Sequence, residues 1–282
     1  PRVTEFWTAL AQNLALYSKY KALRAAPAFA GLNAARRKTI ENALRDFRLG
    51  GAELPEDEKP RFAEIQEEQA AASQKFSENV LDATNAWSLH LEDGSRLAGV
   101  PDDVKQAAAE KAAKDAKPGF VFTLHFPSYF PLLQYADDRA LRETVYHANA
   151  TKAAEFGKPE WNNTPLIAQL LRLRAEEARL LGYRNFAEVS LVPKMAQTPD
   201  EVIAFLEDVA ARAKPYAERD MRELREFART HLGIADLAPW DVAYASEKLR
   251  EQRYAFSDQE VKQYFPEHKV LEGLFRVIQT LF

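Results

Sequence analysis

Apolar residues recur every three or four positions along most of this sequence, and in one short region the interval drops to two. The first pattern belongs to amphipathic helices, the second to half-buried strands. Phe6, Leu10, Leu14, Tyr17 and Tyr20 mark one broad face of a helix predicted over residues 4 to about 25. Asn33 caps a second predicted helix, which turns Ile40, Leu44 and Phe47 inward and stops at Gly50-Gly51. A long third helix follows Pro55 and runs through Gln69 towards Ala83, with an acidic first turn that suits the positive end of its dipole. The period becomes two at Trp87, Leu89 and Leu91, Asp93-Gly94 supplies a turn, and residues 119–125 are rich in β-formers. A helix with Pro101 at its first position, reaching about Ala116, separates these two strands.

Further helices are predicted over residues 138–155, 164–181, 185–192 and 199–231. Thr198 is the N-cap of the last, and Pro215 is expected to kink it or split it. Two more follow Pro239 and Ser257, and a final one follows Pro266. The predicted fold class is therefore mainly α, a multi-helical lobe with a small sheet of two or three short strands near residues 87–125. Only 10 Gly and abundant Ala, Glu, Leu, Arg and Lys agree with it. No repeat at helical-solenoid periods and no low-complexity linker divides the chain. Residues 1–282 read as one helical fragment, with a possible subdivision near 118–126.

The last helix carries its apolar stripe, Leu271, Leu274, Phe275, Ile278, Leu281 and Phe282, up to the final residue without a Gly, Asn or Pro stop signal. Pro1 stands where an initiator Met is expected. Both ends predict a piece cut from a longer protein, with a stripe that has lost its cover and is free to self-associate.

Composition narrows function by exclusion. An apolar fraction of 46% with 28% charged residues is that of a folded globular chain, not a disordered one. A net charge of −4 argues against nucleic acid held by bulk electrostatics, and the basic run Arg36-Arg37-Lys38 reads as a solvated helix face. The apolar stretch at residues 120–133 is too broken by His125, Pro127, Ser128 and Pro131 to cross a bilayer. There is no cysteine, so disulfides, thiolate zinc sites and cysteine nucleophiles are excluded, and a cytoplasmic location fits.

Candidate chemistry is sparse. None of His90, His125, His147, His231 and His268 is followed by Glu, and no two share a helical face at the spacing of a zinc peptidase motif. His125, between Leu124 and Phe126, reads as a hydrogen-bonded core histidine in a strand. His90 and His147 fall on polar-leaning positions, His231 in a last helical turn, and His268 in a turn after Glu267. The acidic pairs Glu67-Glu68, Asp102-Asp103, Asp137-Asp138 and Glu176-Glu177 read as solvated surface or caps, because neighbours on a helix do not face each other. Nucleotide-binding glycine loops and the Gly-x-Ser-x-Gly elbow are absent. No catalytic or metal-binding residue is assigned, and substrate-binding residues stay open.

Two segments say more. Residues 76–84, Phe-Ser-Glu-Asn-Val-Leu-Asp-Ala-Thr, close the long third helix. Residues 239–248 begin Pro239-Trp240-Asp241 and end Ser246-Glu247-Lys248, with Tyr254, Phe256 and Tyr264-Phe265-Pro266 beyond. Trp240 reads as a core anchor at a helix start, Asp241 as its cap or first-turn acid, and Tyr244 and Lys248 share a face. Together with residues 42–47, residues 181–188 and Lys194-Met195-Ala196, these segments resemble the thimet oligopeptidase family of zinc metallopeptidases over nearly the whole chain. One departure is Tyr244-Ala245, where the family often shows two tyrosines.

The resemblance implies a mostly helical, two-lobed peptidase with a deep channel, which hydrolyses short peptides in the cytoplasm. It also implies zinc held by two histidines of His-Glu-x-x-His and a further glutamate, the motif glutamate acting as general base. In the family those residues lie downstream of the region matched here, so no position of this sequence inherits them. The expectation is a zinc-dependent parent enzyme, a 282-residue chain that is inactive scaffold and channel wall with no zinc of its own, and the remaining C-terminal part of the polypeptide as its partner. The competing reading is a non-enzymatic all-helical interaction module.

Overall fold

The computed structural model describes residues 2–255 and 258–282. Thirteen α-helices and two strands form among them. The first helices are α1 (Arg2–Ala11), α2 (Leu14–Ala25), α3 (Ala34–Leu49) and α4 (Lys59–Ala86). Strand β1 (Ser88–Leu91), α5 (Asp102–Lys114) and strand β2 (Phe120–Thr123) follow. Next come α6 (Phe126–Tyr135), α7 (Arg139–Ala150), α8 (Thr164–Leu180), α9 (Phe186–Leu191) and the long α10 (Pro199–His231). A 3-10 turn, Pro239–Asp241, leads into α11 (Val242–Tyr254), and α12 (Asp258–Lys262) and α13 (Glu267–Leu281) complete the order. Ser257, expected to start a helix, and Phe256 lie outside the described residues. No helix among the described residues is long and apolar enough to cross a membrane.

The mainly α reading and the small sheet both hold. The sheet has two antiparallel strands, with Ser88 opposite Thr123 and Leu91 opposite Phe120. The chain forms two compact units of two segments each: Pro1–Leu81 with Ala153–Arg212, and Asp82–Lys152 with Ala213–Phe282. Residues 118–126 fall inside the second unit.

In the first unit, Tyr17, Phe47 and Ala52 are buried together, and the Tyr17 and Phe47 rings lie 5.4 Å apart. The helix expected over residues 4–25 is broken in two. Asn13 accepts the Leu16 N–H at 2.9 Å and so caps α2 where a continuous helix would have had to pass. Ala11 ends α1 so close to Gly50 that a side chain at 50 would put its Cβ 2.4 Å from that of Ala11. The break therefore packs the end of α1 onto the end of α3. Asn33 caps α3 as expected, accepting from the Arg36 N–H at 2.9 Å.

In the second unit, Leu91, Val104, Ala108, Phe122, Leu132 and Leu141 form one buried cluster between the sheet, α5, α6 and α7. Pro101 stands in extended conformation before α5, leaving the first helical position to Asp102. Helix α7 ends at Ala150 rather than near 155, and Ala153 then takes a left-handed conformation with φ 55°. Helix α10 has the predicted bounds and is not split at Pro215.

Candidate functional site

The segment at residues 239–248 closes around a buried carboxylate. Asp241 ends the 3-10 turn, has no exposed surface, and accepts four kinds of contact. Arg139 donates from Nε at 3.1 and 3.0 Å and from Nη2 at 2.7 Å. Arg142 Nη2 donates at 2.8 Å, and the Ala238 N–H at 3.1 Å. The two arginines sit three positions apart on α7 and so present one face to the turn. Burial alone would push the Asp241 carboxyl up; the guanidiniums of Arg139 and Arg142 and the Ala238 N–H outweigh it and hold the group below its ordinary value.

Arg142 is itself only 1% exposed. Its Nη1 donates to the carbonyls of Ala136 and Asp137 at 2.7 and 3.2 Å, and its guanidinium lies 4.1 Å from the centre of the Tyr244 ring. The Tyr244 hydroxyl donates to Asp137 at 2.9 Å. Burial, then the Asp137 carboxylate, pushes this phenol up to about 12. Trp240 packs against Tyr146 with ring centres 6.1 Å apart, and its buried Nε1–H finds no acceptor among the described residues. One turn on, Glu247 is buried and accepts from Gln134 at 2.8 Å and from Arg250. Lys248 lies over the Tyr244 ring at 5.6 Å and pairs with Glu251.

Trp240 is half-buried against Tyr146, Asp241 is the first-turn acid and makes no cap bond onto α11, and Tyr244 and Lys248 share a face. Arg139, Arg142 and Gln134 complete the cluster without having been picked out in the sequence, and Glu247, quoted within the segment, had no role assigned to it. The Arg-x-x-Arg spacing at 139 and 142 was the available signal, but nothing local said which carboxylate it would meet. Ala245, where the family often has tyrosine, is fully buried against Leu224 and Ala228 of α10.

The first unit holds a second polar knot, around the segment at residues 76–84. Asn79, 2% exposed, donates to Asn163 at 2.8 Å, and Asn163 donates to the Phe76 carbonyl at 3.1 Å. Arg61 of α4 grips Glu176 of α8 with two bonds, at 2.8 and 2.9 Å. Glu177 is buried and accepts from Gln69 at 2.6 Å, so the pair Glu176-Glu177 is an inter-helix tie and not solvated surface. Asp138 does cap α7, through the Leu141 N–H at 3.0 Å. In the segment at 181–188, Gly182 takes φ 79° to end α8 and Asn185 caps α9 through the Glu188 N–H at 3.1 Å.

The histidines stay apart. His125 is exposed at the N-cap of α6, which overturns the core-histidine reading: strand β2 ends two residues earlier and the chain has already turned outward. His90 Nε2 lies 2.7 Å from the Pro118 carbonyl, and His147 is exposed on α7. His231 stacks on Phe227 at 4.9 Å in the last turn of α10. His268 belongs to the first turn of α13 instead of a loop. Among the described residues no three His, Cys, Asp or Glu side chains converge as a metal site. The buried carboxylates already have arginine, glutamine or backbone donors, so the residues present do not fit zinc.

In each unit, buried charged groups are tied to another segment of the same unit. The chain belongs to peptidase family M3, whose profile matches residues 132–282, and the N-terminal domain of neurolysin and thimet oligopeptidase matches residues 1–59. It is similar to oligopeptidase A of Salmonella typhimurium and of Escherichia coli, 40% identical to each over its full length while spanning 42% of theirs. A probable cytosolic oligopeptidase A of Arabidopsis thaliana is 37% identical over the whole chain, which spans 41% of it.

Proposed function

We propose that this chain is the amino-terminal and middle part of a zinc-dependent oligopeptidase that hydrolyses short peptides in the cytoplasm. On its own it supplies scaffold and channel wall and no catalysis; the rest of the polypeptide is its working partner. One observation carries the reading: a chain 40% identical throughout to oligopeptidase A spans 42% of that protein and contains no His-Glu-x-x-His. Zinc, when bound in the whole enzyme, would activate the attacking water. The part played by the residues here is positional. The Arg139–Asp241–Arg142 knot fixes the turn that launches α11 against α7, and the Arg61–Glu176 pair fixes α4 against α8.

The test is a fluorogenic peptide assay on two proteins. The 282-residue chain with added zinc is expected to show no turnover above background. The longer product of the same gene is expected to hydrolyse the peptide, to lose activity to a chelator and to regain it with zinc. Chelator-sensitive hydrolysis by the chain alone overturns the scaffold assignment. A longer product without zinc-dependent hydrolysis overturns the peptidase assignment in favour of a non-enzymatic helical module.

A further inference from the structure

Asp93-Gly94 is the only Asp-Gly step in the sequence, and no Asn is followed by Gly. The turn that carries it, residues 92–95, is exposed at all four positions. It lies between two fixed points of the second unit: Leu91 ends β1, and Leu97 is 1% exposed in the same apolar cluster. The Leu97 N–H donates to the Gly94 carbonyl at 3.0 Å.

Asp93 Oδ1 accepts the Ser95 N–H at 2.9 Å. That bond closes a ring around the Gly94 amide, an Asx turn, and folds the carboxyl carbon back towards the Gly94 nitrogen. The Gly94 N–H itself donates to no acceptor among the described residues, so no competing bond holds its nitrogen. No side chain shields it either: a Cβ at 94 would meet nothing nearer than the Phe120 ring at 3.7 Å. The two Asp-Ala steps of the chain lack these features. Asp82 lies inside α4, whose amides are taken up by the helix, and the Ala116 N–H after Asp115 is bonded to the Ala113 carbonyl at 3.1 Å.

We infer that Asp93 is a site of spontaneous covalent rearrangement, passing through a cyclic imide to isoaspartate in the folded chain. The Gly94 nitrogen attacks Asp93 Cγ; the N–Cγ bond forms, the Cγ–OH bond breaks, and one water leaves with the amide hydrogen. Hydrolysis then returns one water. Opening at Cγ restores Asp93, whereas opening at the Asp93 main-chain carbonyl leaves the chain running through the side chain, one backbone carbon longer. Nothing is oxidised or reduced, and water is the only reagent. The extra carbon falls between Leu91 and Leu97, which the apolar cluster holds in place. The carboxyl reacts in its neutral form, and the Ser95 donors hold it below its ordinary value, so the change is slow at neutral pH.

The chain is incubated warm at mildly acidic pH in water enriched in heavy oxygen, once folded in buffer and once unfolded in urea. Isoaspartyl methyltransferase labelling with peptide mapping is expected to find isoaspartate at residue 93, carrying one heavy oxygen, forming at least as fast in the folded chain as in the unfolded one. Asp93→Glu, which would need a larger ring, is expected to give no label in that peptide, and Gly94→Ala several-fold less than the parent. Label at residue 93 confined to the unfolded chain, or isoaspartate there without the heavy oxygen, overturns the proposal.

Discussion

Asp241 is the residue on which the second unit turns. It pairs with one guanidinium that is wholly buried and one that is half exposed, so its loss leaves Arg142 without a counter-charge inside the protein. Asp241→Ala is expected to cost about 3–5 kcal/mol in a urea titration, the range for breaking a buried ion pair from one side. A replacement of all three partners by apolar residues should cost far less. Because the folded carboxyl lies below its ordinary value, its contribution is complete above the unfolded pKa near 4 and is lost as pH falls through the folded one. Asp241→Asn should therefore flatten the acid limb of the stability–pH curve, and an unchanged limb would count against the pairing. Tyr244 has the opposite sign. Its phenol, raised to about 12, contributes fully below pH 10, and that contribution fades as pH climbs to 12. Tyr244→Phe removes the hydroxyl and should cost about 1 kcal/mol at neutral pH, with no alkaline component left to lose.

At the scale of elements, two positions decide whether a segment takes its shape. Gly119 has φ 77°, and a Cβ there would lie 2.1 Å from the Leu91 carbonyl oxygen. Gly119→Ala should cost at least about 2 kcal/mol and loosen the β1–β2 pair, visible as faster amide exchange at Phe120 and Phe122. Pro215 acts in the other sense. It removes one hydrogen bond from α10 and crowds the carbonyl of Ala211, yet the helix runs through it. Pro215→Ala should raise both helical ellipticity and melting temperature, and a fall in either would show that the proline is needed for the native form of α10.

At the scale of the whole molecule, neither unit is a continuous stretch of chain. Residues 82–152 contain the sheet, α5, α6 and α7 but not Asp241, so an excised piece keeps its apolar cluster and loses the counter-charge for Arg142. Expressed alone, residues 82–152 should lack fixed tertiary packing by near-ultraviolet circular dichroism. Co-expression with residues 213–282 should restore it, and a well-packed 82–152 on its own would contradict the importance given to the knot.

Element type was legible in this sequence because helix and strand periods, Asn caps and Pro starts act over a few residues. Asn33 and the full extent of α10 were readable for that reason. The split between α1 and α2 was not, since Asn13 looks like any polar residue on a helix until Ala11 meets Gly50. His125 was misread because its apolar neighbours say nothing of where a strand stops. The pairings that hold the units, Arg139 and Arg142 with Asp241, Arg61 with Glu176, and Asn79 with Asn163, join residues 84 to 115 positions apart. Local pattern determined which helices form and which family the chain resembles. Only the tertiary structure decided which charges meet, because a charge carries no mark of its partner until folding brings the two within reach.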